Sequence, residues 1–386
     1  MLQITSETLK TLGAERKGPC VSIYMPLVPA GPQVRQNPIR LSNLLREAEH
    51  KLANTGVPQD DARELLDKAR VAFLEEDPAS ERGDGFALFL APGFMRHFRV
   101  PMEMPEKVFV GTRLITRPLL PLVESEDEFY ILALSQGHAQ MWHSAPGAGG
   151  LERVSVPGMP SSVKEVESLI DPERSLQGHP TGQAQRGLHG HGSVKDNWQD
   201  VVAEYLHRVE NAAQDFLNDM TPPVTLILAG PESTLEEYRN VSRYRALAEQ
   251  EIHCNPEDVN DSELMESAWR ILLTRAEARR EEAIRRHREL NDRGRIASGA
   301  NAVVIRAFER RVEELFLDPE VDMPGRLNLE QYAVERASEM APDTDDLLDL
   351  SAFCTLRGGG SVHAVPRDKM PDVGENNEPI TAILRG

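Results

Sequence analysis

Hydrophobic and polar positions change rhythm repeatedly along this chain. VSIYMPL (21–27) is a short, apolar, β-branched run, which predicts a strand. Next, Leu41, Leu44, Leu45, Ala48 and Leu52 recur at three- and four-residue spacing, the stripe of an amphipathic helix. Asn37 is the expected N-cap of that helix, with Pro38 at its first position, where a missing N–H costs nothing. A second amphipathic helix is predicted over 59–75. GFALFLAP, MRHFRVPM and KVFVGT then alternate with turn residues, as strands of one sheet would. RPLLPLVESEDE (117–128) bears proline and acid and predicts a connector, so a first domain is placed at 1–126.

Beyond it FYILALSQG and HAQMWHSAP predict a hairpin with Gly137 at the turn, and LERVSVPGM a third strand. SSVKEVESL is helix-like and leads into a stretch of low apolar content, 171–195, unusual within a compact domain. KDNWQDVVAEYLHRVENAAQDFLNDM predicts a long helix whose buried stripe runs from Trp198 through Val201, Val202, Tyr205, Val209 and Ala212 to Phe216. VTLILAG (224–230) is a continuous apolar run ended by glycine, the pattern of a central strand buried on both faces. A helix, a weak strand at AEQEIHC and a long helix over 261–291 follow, and a second boundary is placed at 274/275. Residues 275–386 then predict helix (ANAVVIRAFERR), strand (VEELFLDP), helix, a glycine turn at 358–360, strand, and a final strand at PITAILR. The alternation makes the fold class α/β in three domains: 1–126, 127–274 and 275–386.

At 386 residues the chain exceeds what one core usually spans, in keeping with several domains. Its net charge of −19 argues against a nonspecific nucleic-acid binder, although an acidic chain can carry a local basic face. Cys20, Cys254 and Cys354 lie far apart, form no CxxC pair and fit no closed disulfide framework, as in a reducing cytoplasm. The start lacks a secretory pattern and no run approaches a membrane span, so a cytoplasmic protein without membrane contact is expected.

Candidate chemistry gathers first in RGLHGHGSVKDN (186–197). His179, His189 and His191 lie near one another, and imidazole is a common metal ligand. Yet His189 and His191 sit on a glycine-rich loop without a neighbouring cysteine or an HExxH pattern, so no metal or cofactor is expected. A solvated loop remains open. So does a loop presenting polar side chains and bare backbone to a ligand, since Gly190 and its neighbours allow close approach next to a helix start that favours anions. Arg275, Arg279, Arg280, Arg285, Arg286, Arg288, Arg293 and Arg295 form a second candidate, for RNA phosphates. The plainer reading is an exposed helix laced with i,i+4 ion pairs. Arg35 and Arg40, at a predicted helix start, are a candidate anion grip beside the plain alternative of a capped helix. Asp343, Asp345, Asp346 and Asp349 suit a helix N-terminus, solvation or a basic partner. No GxxxxGK[ST], Rossmann GxGxxG or GxSxG is present, so nucleotide-driven and serine-hydrolase chemistry find no support.

The order of these pieces, from FYILALSQGHAQMWH through the glycine-rich loop, VKDNWQDVVAEYLHRVENAA and VTLILAGPESTLEEY to LLDLSAFCTLRGGGSVHAVPRDKMP…PITAILR, resembles the last two domains of archaeo-eukaryotic class 1 release factors and their Pelota-type ribosome-rescue relatives. It looks more like the bacterial families of that superfamily. GPQVRQNPIRLSNLLREAE and DGFALFLAPGFMRHFRVP also look typical of one such family. The resemblance implies an RNase-H-like middle domain and a C-terminal αβα domain similar to kink-turn-binding ribosomal proteins. It also implies a ribosome or tRNA partner, and a protein partner at the C-terminal domain. Release factors carry Gly-Gly-Gln on the middle-domain loop and promote peptidyl-tRNA hydrolysis. Here Gly190-His191-Gly192 stands at that place and the glutamine is absent, so hydrolysis would fall to His191, with His189 and Gly190 beside it. Stop-codon reading is not implied by the N-terminal domain. A metal-dependent or small-molecule hydrolase using the histidine loop, and a protein-binding scaffold, remain as alternatives.

Overall fold

The computed structural model describes residues 4–28, 32–75, 84–124, 128–145, 150–170, 194–221, 223–340, 344–371 and 378–386. The chain forms two compact units, a flanking unit of 1–126 with 272–386 and a middle unit of 127–271.

The flanking unit begins with helix α1 (Ser6–Leu12) and a four-stranded antiparallel sheet of order β3-β2-β1-β4. Its strands are β1 (Cys20–Pro26), β2 (Gly85–Ala91), β3 (Phe94–Val100) and β4 (Lys107–Gly111). Alternation divides the central strand between two cores. Val21, Ile23 and Met25 pack with Leu41, Leu44 and Leu45 of helix α2 (Gln36–Asn54) and with helix α3 (Gln59–Glu75). Tyr24 instead joins Phe89 and Phe109 in a core that takes in Val303, Leu315 and Leu347 from the far end of the sequence.

That far end holds a second sheet of order β10-β16-β11-β15, made from β10 (Ile296–Ser298), β11 (Val312–Leu317), β15 (Ser361–Ala364) and β16 (Ile380–Leu384). Leu315 packs into the shared core, as do Val303 of helix α9 (Ala300–Phe308) and Leu347 of helix α10 (Leu347–Arg357). Its neighbour Phe316 packs with Ala283, Ile284 and Leu290 of helix α8 (Asp261–Leu290). Helices therefore cover both faces of this sheet. A small sheet of order β13-β12-β14 (Ala333–Arg336, Pro324–Asn328, Asp345–Asp346) stands beside it in sequence, and the amino-acid pattern did not predict it.

Two local expectations are corrected. Helix α2 begins at Gln36 with Arg35 at the N-cap and no side-chain cap. Asn37 lies inside the helix, is buried, and clamps the end of β1: its Nδ2 donates to the Val28 carbonyl at 3.0 Å and its Oδ1 accepts from the Val28 N–H at 3.1 Å. A residue that satisfies both backbone groups of a neighbouring strand end gains more than a cap offers. The acidic connector is the second correction. Residues 117–119 form a 3-10 turn and Leu120–Glu124 a short helix α4, and Leu119, Leu120 and Leu122 sink into the shared core.

The middle unit is one five-stranded sheet of order β7-β6-β5-β8-β9, built from β5 (Phe129–Leu134), β6 (Ala139–Ser144), β7 (Glu152–Val154), β8 (Thr225–Gly230) and β9 (Leu247–His253). β5, β6 and β7 run antiparallel in sequence, whereas β5, β8 and β9 are parallel. The two continuous apolar runs, FYILAL and TLILAG, are adjacent and fully buried, as parallel central strands require. Gly230 ends β8 because no larger residue fits: a Cβ there would lie 2.1 Å from the Leu134 carbonyl oxygen.

Candidate functional site

The loop that carries the candidate catalytic residues His189, Gly190 and His191, together with His179, lies outside the described residues. Its two stems are described. The first is helix α5 (Val163–Ile170), the second helix α6 (Val194–Leu217). Helix α5 is an amphipathic segment whose Val163 and Val166 are buried. Glu165 accepts from the N–H and the hydroxyl of Ser161, both at 2.8 Å, which closes its first turn and holds the carboxyl below its usual range. The stem is then tied to the β5–β6 turn. Ala139 N–H donates to the Ser161 carbonyl and Val163 N–H to the Gln136 carbonyl, each at 2.9 Å.

Helix α6 returns to the same turn. Its Tyr205, fully buried, donates its hydroxyl to the carbonyl of Ser135 at 2.9 Å, with the His138 carbonyl at 3.2 Å. Burial raises the Tyr205 phenol, so it stays a donor. One turn of sheet thus anchors the helices on both sides of residues 171–193. Further along α6, buried Glu210 accepts from the Tyr238 hydroxyl at 2.7 Å and from the Arg243 N–H at 2.6 Å, fixing the helix to helix α7 (Glu232–Val241) and the chain beyond it. The stripe predicted for α6 holds from Val201 to Ala212. Trp198 is a correction: it is 38% exposed, and Phe216 is half-buried against Tyr130. Trp198 lies in the second turn of the helix, ahead of the positions that face the sheet.

The arginine series is drawn largely into ion pairs. Arg280 bonds Glu124 at 3.0 Å, and burial pushes that carboxyl up while Arg280 pulls it back. Arg286 pairs with Glu313 and Glu314, Arg295 with Glu313 at 2.7 Å and with the Leu384 carbonyl, and Arg285 with Glu282. Arg275 is half-buried and Arg279 exposed. Arg288 and Arg293 are exposed and have no ion pair among the described residues. At the N-terminal candidate, Arg40 is engaged by Glu106 at 3.1 Å and by the Pro26 carbonyl at 2.9 Å, so it ties α2 to β1. Arg35 is exposed. The structure does not bring these two arginines into one grip with a described partner.

Asp343 lies outside the described residues, whereas Asp346 and Asp349 stand at a helix N-terminus as expected and make further contacts inside the flanking unit. Asp346 caps α10, accepting from Asp349 N–H at 2.9 Å, and receives the wholly buried Arg117 at 3.0 Å. Asp349 is buried and accepts from Thr116 N–H at 2.7 Å, Arg117 N–H at 2.8 Å and the Thr116 hydroxyl at 3.1 Å. Burial, then the neighbouring Asp346 charge, pushes its carboxyl up to about 6. A sequence pattern offers no signal for contacts over this separation. The three cysteines are free. Among the described residues no group of His, Cys, Asp and Glu is placed to hold a metal ion, and no helix is long and apolar enough to cross a membrane.

Residues 129–274 match the family model described as bacterial archaeo-eukaryotic release factor family 7. No curated protein matches the chain. Among solved structures, similarity is found to the archaeal translation termination factor aRF1, at 16% identity over 100% of this chain and 99% of that one, with a TM-score of 0.24. Archaeoglobus fulgidus Pelota is 14% identical over 100% and 93%, with a TM-score of 0.40. S. cerevisiae Dom34, a translation termination-like factor, is 10% identical over 79% and 74%, with a TM-score of 0.30. The matched residues begin with the first strand of the middle unit and include its whole sheet and both loop stems. Over residues 129–274 the chain is thus similar to the bacterial homologues of the archaeo-eukaryotic release factors described as family 7.

Proposed function

We propose that this protein is a translation-associated factor of the release-factor type that docks on the ribosome or on tRNA through its middle unit. The observation that carries the reading is the family match, which spans the sheet and both stems of the glycine- and histidine-rich loop. The strand order 3-2-1-4-5, with the second strand antiparallel to its neighbours, supports an RNase-H-like middle layer. Anchoring of α5 and α6 on one turn supports the loop as the part presented to the partner. Within it His191, flanked by Gly190 and with His189 nearby, is the candidate general base toward a peptidyl-tRNA ester, its pKa class lying near neutrality. Arg288 and Arg293, exposed, are the members of the arginine series best suited to phosphate contact, and Arg279, Arg280, Arg285, Arg286 and Arg295 would support them. The cytoplasm is the compartment this function requires.

The test has two parts. Tagged protein is sedimented on sucrose gradients from growing and stressed cells, where association with ribosomal fractions is expected and absence from all of them in low salt overturns the reading. Peptide release from programmed ribosomes is then compared for wild type, His191→Ala and the Gly190→Ala/Gly192→Ala pair. Loss in the variants assigns hydrolysis to the loop, whereas no release by wild type leaves a binding factor without hydrolytic activity.

A further inference from the structure

The arginines at one end of the C-terminal sheet are far apart in sequence and close in space. Arg310 follows α9, Arg311 precedes β11, Arg357 ends α10, and Arg385 follows β16. They converge on the turn at Gly358. A Cβ on Gly358 would lie 3.2 Å from the Cβ of Arg310. The Arg385 guanidinium donates to the Gly358 carbonyl at 2.9 Å, and Arg385 N–H donates to the Arg311 carbonyl at 2.8 Å. Arg357 is the residue before the turn. All four are exposed. Glu309 bonds Arg306 at 2.9 Å and makes only a long ion pair, at 4.0 Å, with Arg311. In a chain of net charge −19, four arginines sharing one turn form a local positive pole.

Arg310 adopts φ 60, the left-handed conformation that closes the C-terminus of α9, where the Arg311 N–H donates to the Arg306 carbonyl at 2.9 Å. Phe308, two residues earlier, is 48% exposed, an aromatic side chain in water at the end of α9. We infer that the basic pole around Gly358, comprising Arg310, Arg311, Arg357 and Arg385 with Phe308, is a binding surface for single-stranded RNA. The guanidinium forks engage phosphate oxygens and the phenyl ring offers a stacking platform for a base. An acidic polypeptide would use the charges as well, but a ring that can stack on a base favours RNA. The surface lies apart in sequence from the loop and from Arg279–Arg295. It deepens the translation-associated reading by supplying a second contact, but its chemistry is tested separately.

The experiment measures anisotropy of a fluorescein-labelled single-stranded RNA of about 20 nucleotides with the full chain, between about 50 and 200 mM salt. For R310Q/R311Q/R357Q the affinity is expected to fall by about tenfold or more, and the slope of log affinity against log salt by about 2, since each lost phosphate contact on a single strand removes about 0.7. Phe308→Ala is expected to weaken binding with the salt slope unchanged. Arg310→Gly separates folding from binding: it relieves the left-handed backbone, so the melting temperature holds or rises while RNA affinity falls. Unchanged affinity and slope in the triple variant, or no binding by wild type at low salt, overturns the proposal. Displacement of the RNA by polyglutamate at equal charge also overturns it, because the pole would then be a general site for acidic chains. Ribosome sedimentation of the same proteins keeps the two readings apart. RNA binding lost with the pole, in a protein that never meets ribosomes, leaves the pole standing without the ribosomal role. Ribosome association by a protein whose pole variant binds RNA unchanged does the reverse.

Discussion

The phenol of Tyr205 reaches the carbonyl of Ser135 at 2.9 Å, joining the helix that follows the glycine-rich loop to the turn on which the preceding helix is also tied. The bond spans 70 residues and is buried, so it helps set where the second stem of the loop begins. Tyr205→Phe removes the donor and keeps the ring. The Ser135 carbonyl then loses its buried phenol donor, and the middle unit is expected to lose about 1–2 kcal/mol. Urea unfolding measures the loss. Ribosome co-sedimentation should weaken with it, and an unchanged midpoint would show that the bond does not hold the stem.

Asp349 gives the flanking unit an unusual acid response. Its carboxyl is pushed up to about 6 from 3.8, first by burial and then by Asp346. The folded state therefore binds the proton at a higher pH than the unfolded chain does. Between those values the folded form holds more protons, so this group's contribution to stability rises as pH falls from above 6 toward 4, by about 3 kcal/mol in all. Asp349→Asn, which retains one oxygen acceptor for Thr116 and Arg117, should flatten that part of the stability–pH curve. Thermal melts of both proteins over the range provide the check.

Arg117 is the opposite case, a charge that must stay. It is buried against Asp346 and Asp322, at 3.0 and 2.7 Å. Arg117→Met would leave Asp346 a buried carboxylate without its cation, at a cost of about 3–5 kcal/mol. The flanking unit should then melt well below wild type, while the middle unit's transition remains in place. Calorimetry resolves the two.

Gly230 permits a close approach between strands β8 and β5. Gly230→Ala would set a methyl 2.1 Å from the Leu134 carbonyl oxygen, which the sheet can relieve only by shifting backbone. A destabilisation of about 3 kcal/mol is expected in the middle unit. Gly158→Ala, with open space around it, serves as the control, since only its positive φ is strained.

Periodicity carried the elements well where burial is one-sided or complete. The strand at 224–230, the hairpin turning at Gly137 and the stripe of α2 were all legible, because each pattern reports a face buried over several turns. The small sheet from Pro324 was not, since its strands are short and half-exposed and have little apolar alternation to read. Asn37 and the 117–124 segment misled for a different reason. Their chemistry matches a cap and a connector locally; Asn37 instead bonds Val28 on the preceding strand's end, and partners distant in sequence bury the 117–124 segment. The candidate site divides in the same way. The glycine- and histidine-rich loop announced itself by composition, whereas Arg310, Arg357 and Arg385 share a turn that no local window contains.

The core shared by residues 1–126 and 272–386 bears on how the chain is made. Tyr24, Phe89 and Phe109 leave the synthesising ribosome long before Leu315 and Leu347 exist to cover them. During translation the whole middle unit emerges before that cover does, and the earliest-made sheet waits with one aromatic face uncovered. An apolar face open for that interval favours association with other chains in a way the finished protein does not.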